Sequence, residues 1–226
     1  MNNLYSTITA AVLLLAGTVA QAQQFEVVHS VDFTSTSGAR AALDMLFADD
    51  AMKDAKATLY AADLGDHESS HLIVVDFDNY QDYITRNKQR RESHGWSQYL
   101  LATQDSEYHG GDMFVVVDDH GKSRHTAGYL GAYLIKSSDA ELYREAIADL
   151  NKALGNPGVL RLVQRRTGGS DMTHAVLIGG KDFAAVNEYL DKLQSSDAYK
   201  DFAEKVGDTR EVLGFHTYRR VAHWSN

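Results

Sequence analysis

The sequence contains no cysteine, only one proline and fewer basic than acidic residues. Without cysteine, the chain cannot form a disulfide, a thiol nucleophile, a CxxC redox motif or a cysteine-ligated metal site. A single proline excludes a proline-rich linker. Lys and Arg number 22 against 31 Asp and Glu, so the formal net charge is -9. This charge argues against a non-specific nucleic-acid binder, because such proteins need positive charge to meet phosphates.

Long apolar runs are also scarce, and the one near the N-terminus is short. It extends over residues 8–19, whereas a transmembrane helix needs about 20 apolar residues. Ala20-Gln21-Ala22 follows directly and has the small-x-small pattern of a signal-peptide cleavage site. We therefore predict that residues 1–22 are a signal peptide. The mature protein is predicted to be periplasmic or secreted and to have no membrane span.

The remaining chain has the composition of a globular protein, with 44% hydrophobic and 23% charged residues. Alternating apolar residues predict a strand over residues 25–33, and a second strand is predicted over residues 57–64. The uninterrupted apolar run of residues 71–75 predicts a strand that is covered on both faces. Apolar residues at helical spacing predict a helix after the first strand and one long helix over residues 80–100. A strand over residues 113–117 completes a βαββαβ order.

The same order follows a second time, which predicts two tandem ferredoxin-like units. Residues 23–120 form the first unit, residues 128–226 form the second unit, and residues 121–127 form a polar linker. Apolar stripes and turn glycines of the two units align at a constant offset, which places His71 on His174. Because two helices cover only one face of each sheet, we predict an α+β protein whose two antiparallel sheets pack face to face.

The third strand and the end of the second helix resemble a known family. Residues 71–80, followed by the Ser-x-x-aromatic-x-x-aromatic pattern of residues 93–99, are similar to the dimeric α/β barrel superfamily, particularly its antibiotic-biosynthesis-monooxygenase branch. Residues 196–202 repeat the pattern in the second unit. The resemblance implies two fused copies of this fold. It also implies either cofactor-independent oxidation of a small aromatic compound or the binding of haem, both of which occur in the superfamily.

Histidine is the most noticeable polar residue type, with ten copies. His71 and His174 stand at equivalent positions, at the start of a buried strand in each unit. An imidazole at such a position suits general acid–base catalysis or ligand binding, so both are candidate catalytic residues. The alternative is a structural histidine that bonds to the backbone at the end of a strand.

Five further residues are candidate ligand-binding residues. Trp96 and Tyr99 in the first unit, and Tyr199 and Phe202 in the second, offer flat apolar surfaces between helix and sheet. His29 lies among the apolar residues of the first strand. Packing in the core is the alternative for all five. Because duplicated units diverge, we expect one open pocket, and the larger ring of Trp96 favours the first unit.

Other chemistries have little support in the sequence. The acidic residues and histidines of residues 63–71 lack the helical spacing of a zinc motif, so no metal is expected. No GxSxG motif is present, and the glycine pairs do not begin a helix that binds phosphate. Arg86, Lys88, Arg90 and Arg91 on the second helix are interpreted as a charged face toward solvent.

Together these patterns predict an exported protein that binds a small planar, apolar or aromatic compound in a pocket between sheet and helices. As an enzyme it would be a cofactor-independent, monooxygenase-like oxidoreductase. The alternatives are a non-catalytic protein that binds a small ligand or haem, and a module for protein contacts. No cofactor is expected, with haem as the alternative, and no nucleic-acid partner is expected, whereas a homo-oligomer is compatible with the predicted fold.

Overall fold

The computed structural model describes residues 23–155, 158–169 and 171–225. The predicted signal peptide, residues 1–22, lies outside the described residues. The first unit consists of β1 (Phe25–Asp32), α1 (Thr36–Phe47), β2 (Lys56–Ala62), β3 (His71–Phe77), α2 (Tyr80–Glu92), α3 (His94–Ala102) and β4 (Glu107–Gly121). The second unit consists of β5 (Tyr129–Ser137), α4 (Ala140–Leu154), β6 (Val159–Thr167), β7 (His174–Gly180), α5 (Phe183–Gln194), α6 (Asp197–Val206) and β8 (Arg210–Trp224). Among the helices described, none has the length and apolar character needed to cross a membrane.

The eight strands form one closed antiparallel barrel in the order β1-β3-β2-β8-β5-β7-β6-β4. Each unit contributes a four-stranded sheet of ferredoxin-like order, and the two sheets face each other across the barrel interior. The sheets also join edge to edge, because β2 pairs with β8 and β6 pairs with β4. Closure of the barrel removes free sheet edges. The predicted α+β fold with two facing ferredoxin-like sheets is confirmed.

The strand that ends the first unit, β4, is much longer than the sequence predicts, whereas β8 extends the predicted strand of residues 211–221 by only a few residues. β4 and β8 each have 15 residues, whereas the apolar pattern marks only residues 113–117 as the fourth strand. The first part of β4 pairs with β1 in its own unit, and the last part pairs with β6 in the second unit. The extension over residues 118–121 is polar, so it carries no hydrophobic signal, and its strand structure comes from pairing with distant residues.

The long helix predicted in each unit is two helices. α2 ends and α3 begins at Ser93, where the backbone is extended with ψ at 149°. The Ser93 hydroxyl accepts a hydrogen bond from the Trp96 amide and donates one to the Arg90 carbonyl. Ser196 accepts a hydrogen bond from the Tyr199 amide in the same way. The Ser-x-x-aromatic pattern is therefore a helix N-cap, which also places an aromatic ring in the first turn of the new helix.

Strand register defines which positions of the two units are equivalent. Val31 of β1 lies opposite His71, and Ile135 of β5 lies opposite His174. His71 to His174 is an offset of 103 residues, but Val31 to Ile135 is an offset of 104 residues. β4 and β8 also follow the larger offset. The predicted constant offset is therefore wrong by one residue in the first and last strands of each unit, and also in the first helix, whose N-caps are Ser35 and Asp139.

The segment predicted as a linker, residues 121–127, contributes to the packing of the barrel. It contains a short 3₁₀ turn over Arg124–Thr126. The Arg124 side chain is 1% exposed and donates hydrogen bonds of 2.7 and 2.9 Å to the two carboxylate oxygens of Asp76. A third hydrogen bond, of 3.1 Å, goes to the hydroxyl of Tyr60. These contacts fix the connecting segment to β2 and β3 of the first unit.

Candidate functional site

A cavity of about 490 Å³ lies between the sheet and the helices of the first unit. This first-unit cavity has a size typical of sites for small molecules. Apolar side chains of β1, β3 and α1 line one side. The other side is lined by α2, α3 and the start of β4, which contribute Arg86, Asn87, Arg90, Trp96, Tyr99 and Tyr108.

The equivalent space in the second unit is nearly filled. This second-unit cavity measures only about 40 Å³. Tyr199 and Phe202 lie there, with their ring centroids 5.9 Å apart, and Phe202 is part of the buried core. One chain thus contains an open and a closed version of the same location, and the residues that differ show what opens it.

Helix α2 accounts for much of the difference between the units. Three polar residues stand where α5 has apolar residues: Arg86, Asn87 and Arg90 replace Tyr189, Leu190 and Leu193. The three α5 residues are buried in the second-unit core, whereas no residue of α2 is buried. Tyr83 is the aromatic residue of α2 that lines the cavity, and its ring packs against Phe25 and Phe77. Because the three positions equivalent to Tyr189, Leu190 and Leu193 carry polar side chains, the space beneath them remains open.

The sheet accounts for further space. His29 of β1 lies opposite Gly111 of β4, and the equivalent pair in the second unit is Tyr133 opposite Phe215. The rings of Tyr133 and Phe215 are 4.4 Å apart and fill their side of the second unit. In the first unit a Cβ atom on Gly111 would lie 2.9 Å from Nδ1 of His29. Glycine at this position therefore leaves room for the imidazole.

Arg90 is the cation of the first-unit cavity that forms no ion pair with any residue the structure describes. Its Cζ atom lies 4.4 Å from the centroid of the Trp96 ring, and Trp96 stacks on Tyr99 with centroids 5.2 Å apart. Among the described residues, the buried Nε atom of Arg90 has no hydrogen-bond partner. Burial, followed by the neighbouring charge of Arg91, lowers the pKa of Arg90. A desolvated cation without an anion is unfavourable, so the cavity is suited to an acidic ligand.

Arg86 differs from Arg90 because its guanidinium is already paired. Its Nε atom donates a hydrogen bond of 2.6 Å to the carboxylate of Asp82, one helical turn earlier. A second hydrogen bond, of 2.5 Å, goes to the backbone carbonyl of Asp54. Arg86 therefore holds α2 to the segment before β2, whereas Arg90 retains donors for a ligand.

His29 supplies a neutral imidazole to the cavity. Its Nδ1 atom lies 3.0 Å from the hydroxyl of Tyr108. Burial, followed by the charge of Arg90, lowers the pKa of His29 to about 4. At neutral pH the ring therefore offers one hydrogen-bond donor and one acceptor. Tyr108 is 60% exposed, so this pair lies where the cavity meets solvent.

The structure brings His29, Trp96 and Tyr99 together around the first-unit cavity, but it places His71 outside the lining. His71 is 5% exposed. Its Nε2 atom lies 3.0 Å from the hydroxyl of Thr36, and its Nδ1 atom lies 2.9 Å from the hydroxyl of Ser70. Burial lowers the pKa of His71, so the ring is neutral at pH 7.

His174 has the equivalent environment in the second unit. Its Nδ1 atom lies 2.8 Å from the hydroxyl of Thr173, and burial lowers its pKa. His71 and His174 thus connect the starts of β3 and β7 to neighbouring hydroxyl groups, as structural residues do. Neither residue lines the first-unit or second-unit cavity. Their catalytic role stays a prediction.

The site includes Arg86 and Arg90, which the charge pattern of the helix assigns to solvent, and Asn87, which the sequence analysis does not single out. A signal for them does exist in the sequence. At the offset of 103 residues that relates the two units in this region, these positions align with Tyr189, Leu190 and Leu193. A helix face that is polar in one unit and apolar in the other indicates that the two units have different interiors.

One described group has metal-ligand geometry but lies away from the first-unit cavity. Ligand atoms of Asp32, Glu107 and His109 lie within 4.8 Å of one another. Asp32 and His109 already form a contact of 2.7 Å with each other. Glu107 and His109 are exposed, and such clusters are common without an ion, so this group carries no proposal.

Comparisons with known proteins show the fold. No protein-family model and no curated protein matches the chain. A protein of Fusobacterium nucleatum, provisionally described as a monooxygenase, matches with a TM-score of 0.61 at 14% identity, covering 91% of this chain and 95% of that one. An anthrone oxidase-like protein matches with a TM-score of 0.57 at 13% identity, covering 91% and 93%. A heme-binding protein from Thermus thermophilus matches with a TM-score of 0.52 at 8% identity, covering 88% and 92%.

The chain therefore has the dimeric α/β barrel fold. A protein provisionally described as a chlorite dismutase has this fold as well. At such low identity the likeness concerns the fold alone, because one fold supports many activities. The residues of the first-unit cavity must therefore supply the argument for function.

Haem is the prosthetic group that some of these structures suggest. The second-unit cavity, at about 40 Å³, is too small for it. The first-unit cavity offers apolar walls, the neutral imidazole of His29 as an iron ligand and the charge of Arg90 for a propionate. The donor set of the first-unit cavity therefore fits haem.

Proposed function

We propose that the protein binds a small planar aromatic molecule that carries an acidic group, and that it does so in the first-unit cavity. The observation that supports this proposal is the contrast between a cavity of about 490 Å³ in one unit and about 40 Å³ in the other. The stacked pair Trp96 and Tyr99 provides a flat surface for an aromatic ring. Arg90 provides the charge-assisted hydrogen bond for the acidic group.

The more specific part of this proposal is that the protein also oxidises the bound compound. In this reaction a ring CH₂ group and O₂ give a carbonyl and water, so one oxygen atom enters the product and the other leaves with both hydrogens. His29 is the residue placed to accept the first proton. A pKa of about 4 keeps its imidazole unprotonated at neutral pH but makes it a weak base. The geometry therefore supports binding more strongly than turnover.

Tryptophan fluorescence tests binding directly. Trp96 and Trp224 are the two tryptophans of the chain, so the Trp224→Phe variant keeps Trp96 as a reporter in the cavity wall. Titration with 1-naphthoic acid should quench its emission. The neutral 1-naphthamide has the same rings but cannot pair with a cation, so it should bind about tenfold more weakly.

Two arginines that are neighbours in sequence provide a matched control. Arg90→Gln should remove the difference between acid and amide. Arg91→Gln changes an exposed side chain of the same helix and should preserve that difference. Equal affinity of the unaltered protein for acid and amide would contradict the role of Arg90. Failure of both compounds to quench Trp96 would contradict binding in the first-unit cavity.

Haem is a second candidate ligand, favoured by the neutral imidazole of His29 in an apolar cavity. Bound haem would supply redox chemistry at its iron, with His29 as the ligand and Arg90 facing a propionate. Titration with haem should then shift the Soret band of free haem, and His29→Ala should abolish this shift whereas His71→Ala should preserve it. A shift that survives His29→Ala would show that haem is held elsewhere.

We also propose that the protein is exported and functions in the periplasm or outside the cell. The support is the short apolar run of residues 8–19 and the pattern Ala20-Gln21-Ala22. The intact mass of protein recovered from the exported fraction should correspond to a chain that begins at Gln23. Recovery of the full-length chain from the cytoplasm alone would contradict export.

A further inference from the structure

A second large space, of about 640 Å³, lies inside the barrel. This barrel cavity is separated from the first-unit cavity by the sheet, because alternate residues of a strand face opposite sides. His29 and Val31 of β1 line the first-unit cavity, whereas Val28 and Ser30 line the barrel cavity. All eight strands contribute to the lining, and its middle is apolar, with Val74, Phe114, Leu130, Val163 and Leu177.

Small side chains explain why the barrel interior is open. An eight-stranded barrel is just wide enough for its inward side chains to fill it. Here several inward positions carry small residues, namely Ser30, Ala132 and Ala175. Two glycine pairs, Gly110-Gly111 and Gly168-Gly169, add further room at one end. The volume is therefore a consequence of residue choice at positions from both units.

A network of paired charges closes one end of the barrel cavity. Arg124 contacts Glu26 at 3.4 Å and Asp76 at 2.7 Å. Arg161 contacts the same oxygen of Glu26 at 3.4 Å and Asp119 at 3.5 Å. Because both arginines are paired with carboxylates, this end offers an acidic ligand no unpaired arginine of the network.

The other end of the barrel cavity carries acidic residues. Asp66 and Glu68 are exposed residues of the β2–β3 turn, and neither forms an ion pair within the described part of the chain. Asp112 of β4 also lines this end and has Arg165 as a neighbouring charge. The mouth of the barrel cavity therefore has a negative electrostatic potential, which attracts cations and repels anions.

Two polar side chains of β8 face this region. His216 and Tyr218 of β8 line the barrel cavity, and neither forms a hydrogen bond to any described residue. The ring of His67 lies 4.8 Å from that of His216 and 4.9 Å from that of Tyr218. Burial, followed by the charge of His67, lowers the pKa of His216. At neutral pH the imidazole and the phenol are both neutral groups that can donate or accept a hydrogen bond.

We propose that the barrel cavity is a second binding site, for a slender apolar molecule with an amine head group. The apolar middle accommodates the hydrocarbon part. His216 and Tyr218 hydrogen-bond to the nitrogen, and the carboxylates of Asp66 and Glu68 favour an amine over an acid. The two cavities of the protein thus prefer opposite ligand types, because the first-unit cavity presents the cation Arg90 and the barrel cavity presents carboxylates.

Two fluorescent probes with closely similar rings separate the cavities. N-Phenyl-1-naphthylamine is an uncharged arylamine, and 1-anilinonaphthalene-8-sulfonate has the same rings with a sulfonate group. The amine should bind more tightly in the barrel cavity than in the first-unit cavity, which is expected to bind uncharged aromatic compounds only weakly. The sulfonate should bind in the first-unit cavity, where Arg90 can pair with it. Because the probes report on different sites, failure of one proposal leaves the other intact.

Variants that fill one cavity assign each probe to its site. Ala132→Phe adds a ring to the barrel interior and should weaken binding of the amine by about tenfold without changing the affinity for the sulfonate. Ser30→Leu fills the same cavity from the opposite sheet and should act alike. Arg90→Gln should weaken only the sulfonate. Unchanged amine binding in filled variants that retain their circular dichroism spectrum would overturn the proposal.

A competition experiment on the unaltered protein tests the head group without any change in folding. Octylamine should displace N-phenyl-1-naphthylamine, whereas octanoate, with the same chain length, should not. Asp66→Asn combined with Glu68→Gln should reduce this difference, because it removes the two unpaired carboxylates. Displacement by octanoate as effective as that by octylamine would show that the mouth does not select amines.

Discussion

Arg90 and Leu193 occupy equivalent positions in the two units. Replacing each of them, in separate variants, by the residue found at the other position should have opposite effects on the stability of the protein. Arg90→Leu replaces a half-buried cation that lacks a counter-charge by a side chain that fills part of the first-unit cavity. Complete burial of a leucine contributes about 1.5–3 kcal/mol. The position beneath α2 is only partly enclosed, so we expect an increase of about 1 kcal/mol in the free energy of unfolding.

The reverse substitution should be strongly destabilising. Leu193 is 4% exposed and belongs to the second-unit core, where the cavity is only about 40 Å³. Leu193→Arg removes apolar contacts and forces a cation into a space that has neither room nor an anion. The loss should be about 4 kcal/mol or more, which is a large part of the stability of a typical domain.

Urea unfolding followed by circular dichroism measures both effects on one scale. Unfolding midpoints are compared between variants whose unfolding free energy has the same dependence on urea concentration. Arg91→Leu, on the exposed side of α2, is the control. Arg90→Leu should also abolish the preference for 1-naphthoic acid over 1-naphthamide. A decrease of about 2 kcal/mol or more in Arg90→Leu would refute the reasoning, because such a loss is typical of breaking contacts that the folded protein already makes.

Three further outcomes follow from the structure. His71→Ala should lower the free energy of unfolding by about 1–3 kcal/mol, because it removes the hydrogen bonds to Thr36 and Ser70 and the buried ring that packs on Phe33, and it should not change the affinity for 1-naphthoic acid; an affinity loss without a stability loss would assign His71 to the site. Arg124→Ala should cost about 3–5 kcal/mol because it strands buried carboxylates, whereas Lys205→Ala, at an exposed ion pair, should cost less than about 1 kcal/mol. Burial lowers the pKa of both His29 and His125 from the ordinary 6.5 to about 4, so protonation favours the unfolded state. Urea midpoints should be constant above about pH 6.5 and fall as the pH decreases toward about 4; midpoints that rise over this range would contradict the assigned shifts.

The order of strands and helices could be predicted because it depends on local patterns. The apolar run of β3 and the alternation of β1 mark strands wherever their partners lie. The Ser-x-x-aromatic pattern at Ser93 and Ser196 recurs in both units, but its meaning as a helix boundary needs the extended backbone of the serine. The break between α2 and α3 was therefore encoded locally, although the apolar stripe runs through it.

The closed barrel and the cavities depend on contacts between distant residues. Arg124 is buried because Glu26 and Asp76 reach it from β1 and β3, and no local pattern distinguishes such an arginine from a solvated one. The equivalence of His29 and Tyr133 cannot be predicted from the sequence for a different reason. A slip of one residue moves a strand position to the opposite face, so the constant offset of 103 aligns His29 with Ala132, which lines the barrel cavity.

The edge-to-edge pairing of the two units should make a ligand in one unit stabilise both. β2 pairs with β8, and β4 pairs with β6, so neither sheet can unfold without exposing the edges of the other. The filled core of the second unit thereby supports a first unit that keeps an open cavity and an unpaired Arg90. A ligand that binds only the folded chain adds about 2.7 kcal/mol at a concentration of 100 times its Kd. In calorimetry, saturating 1-naphthoic acid should therefore shift a single unfolding transition to higher temperature. Two transitions, with only one of them shifted by the ligand, would show that the units unfold separately and that the closed barrel does not couple them.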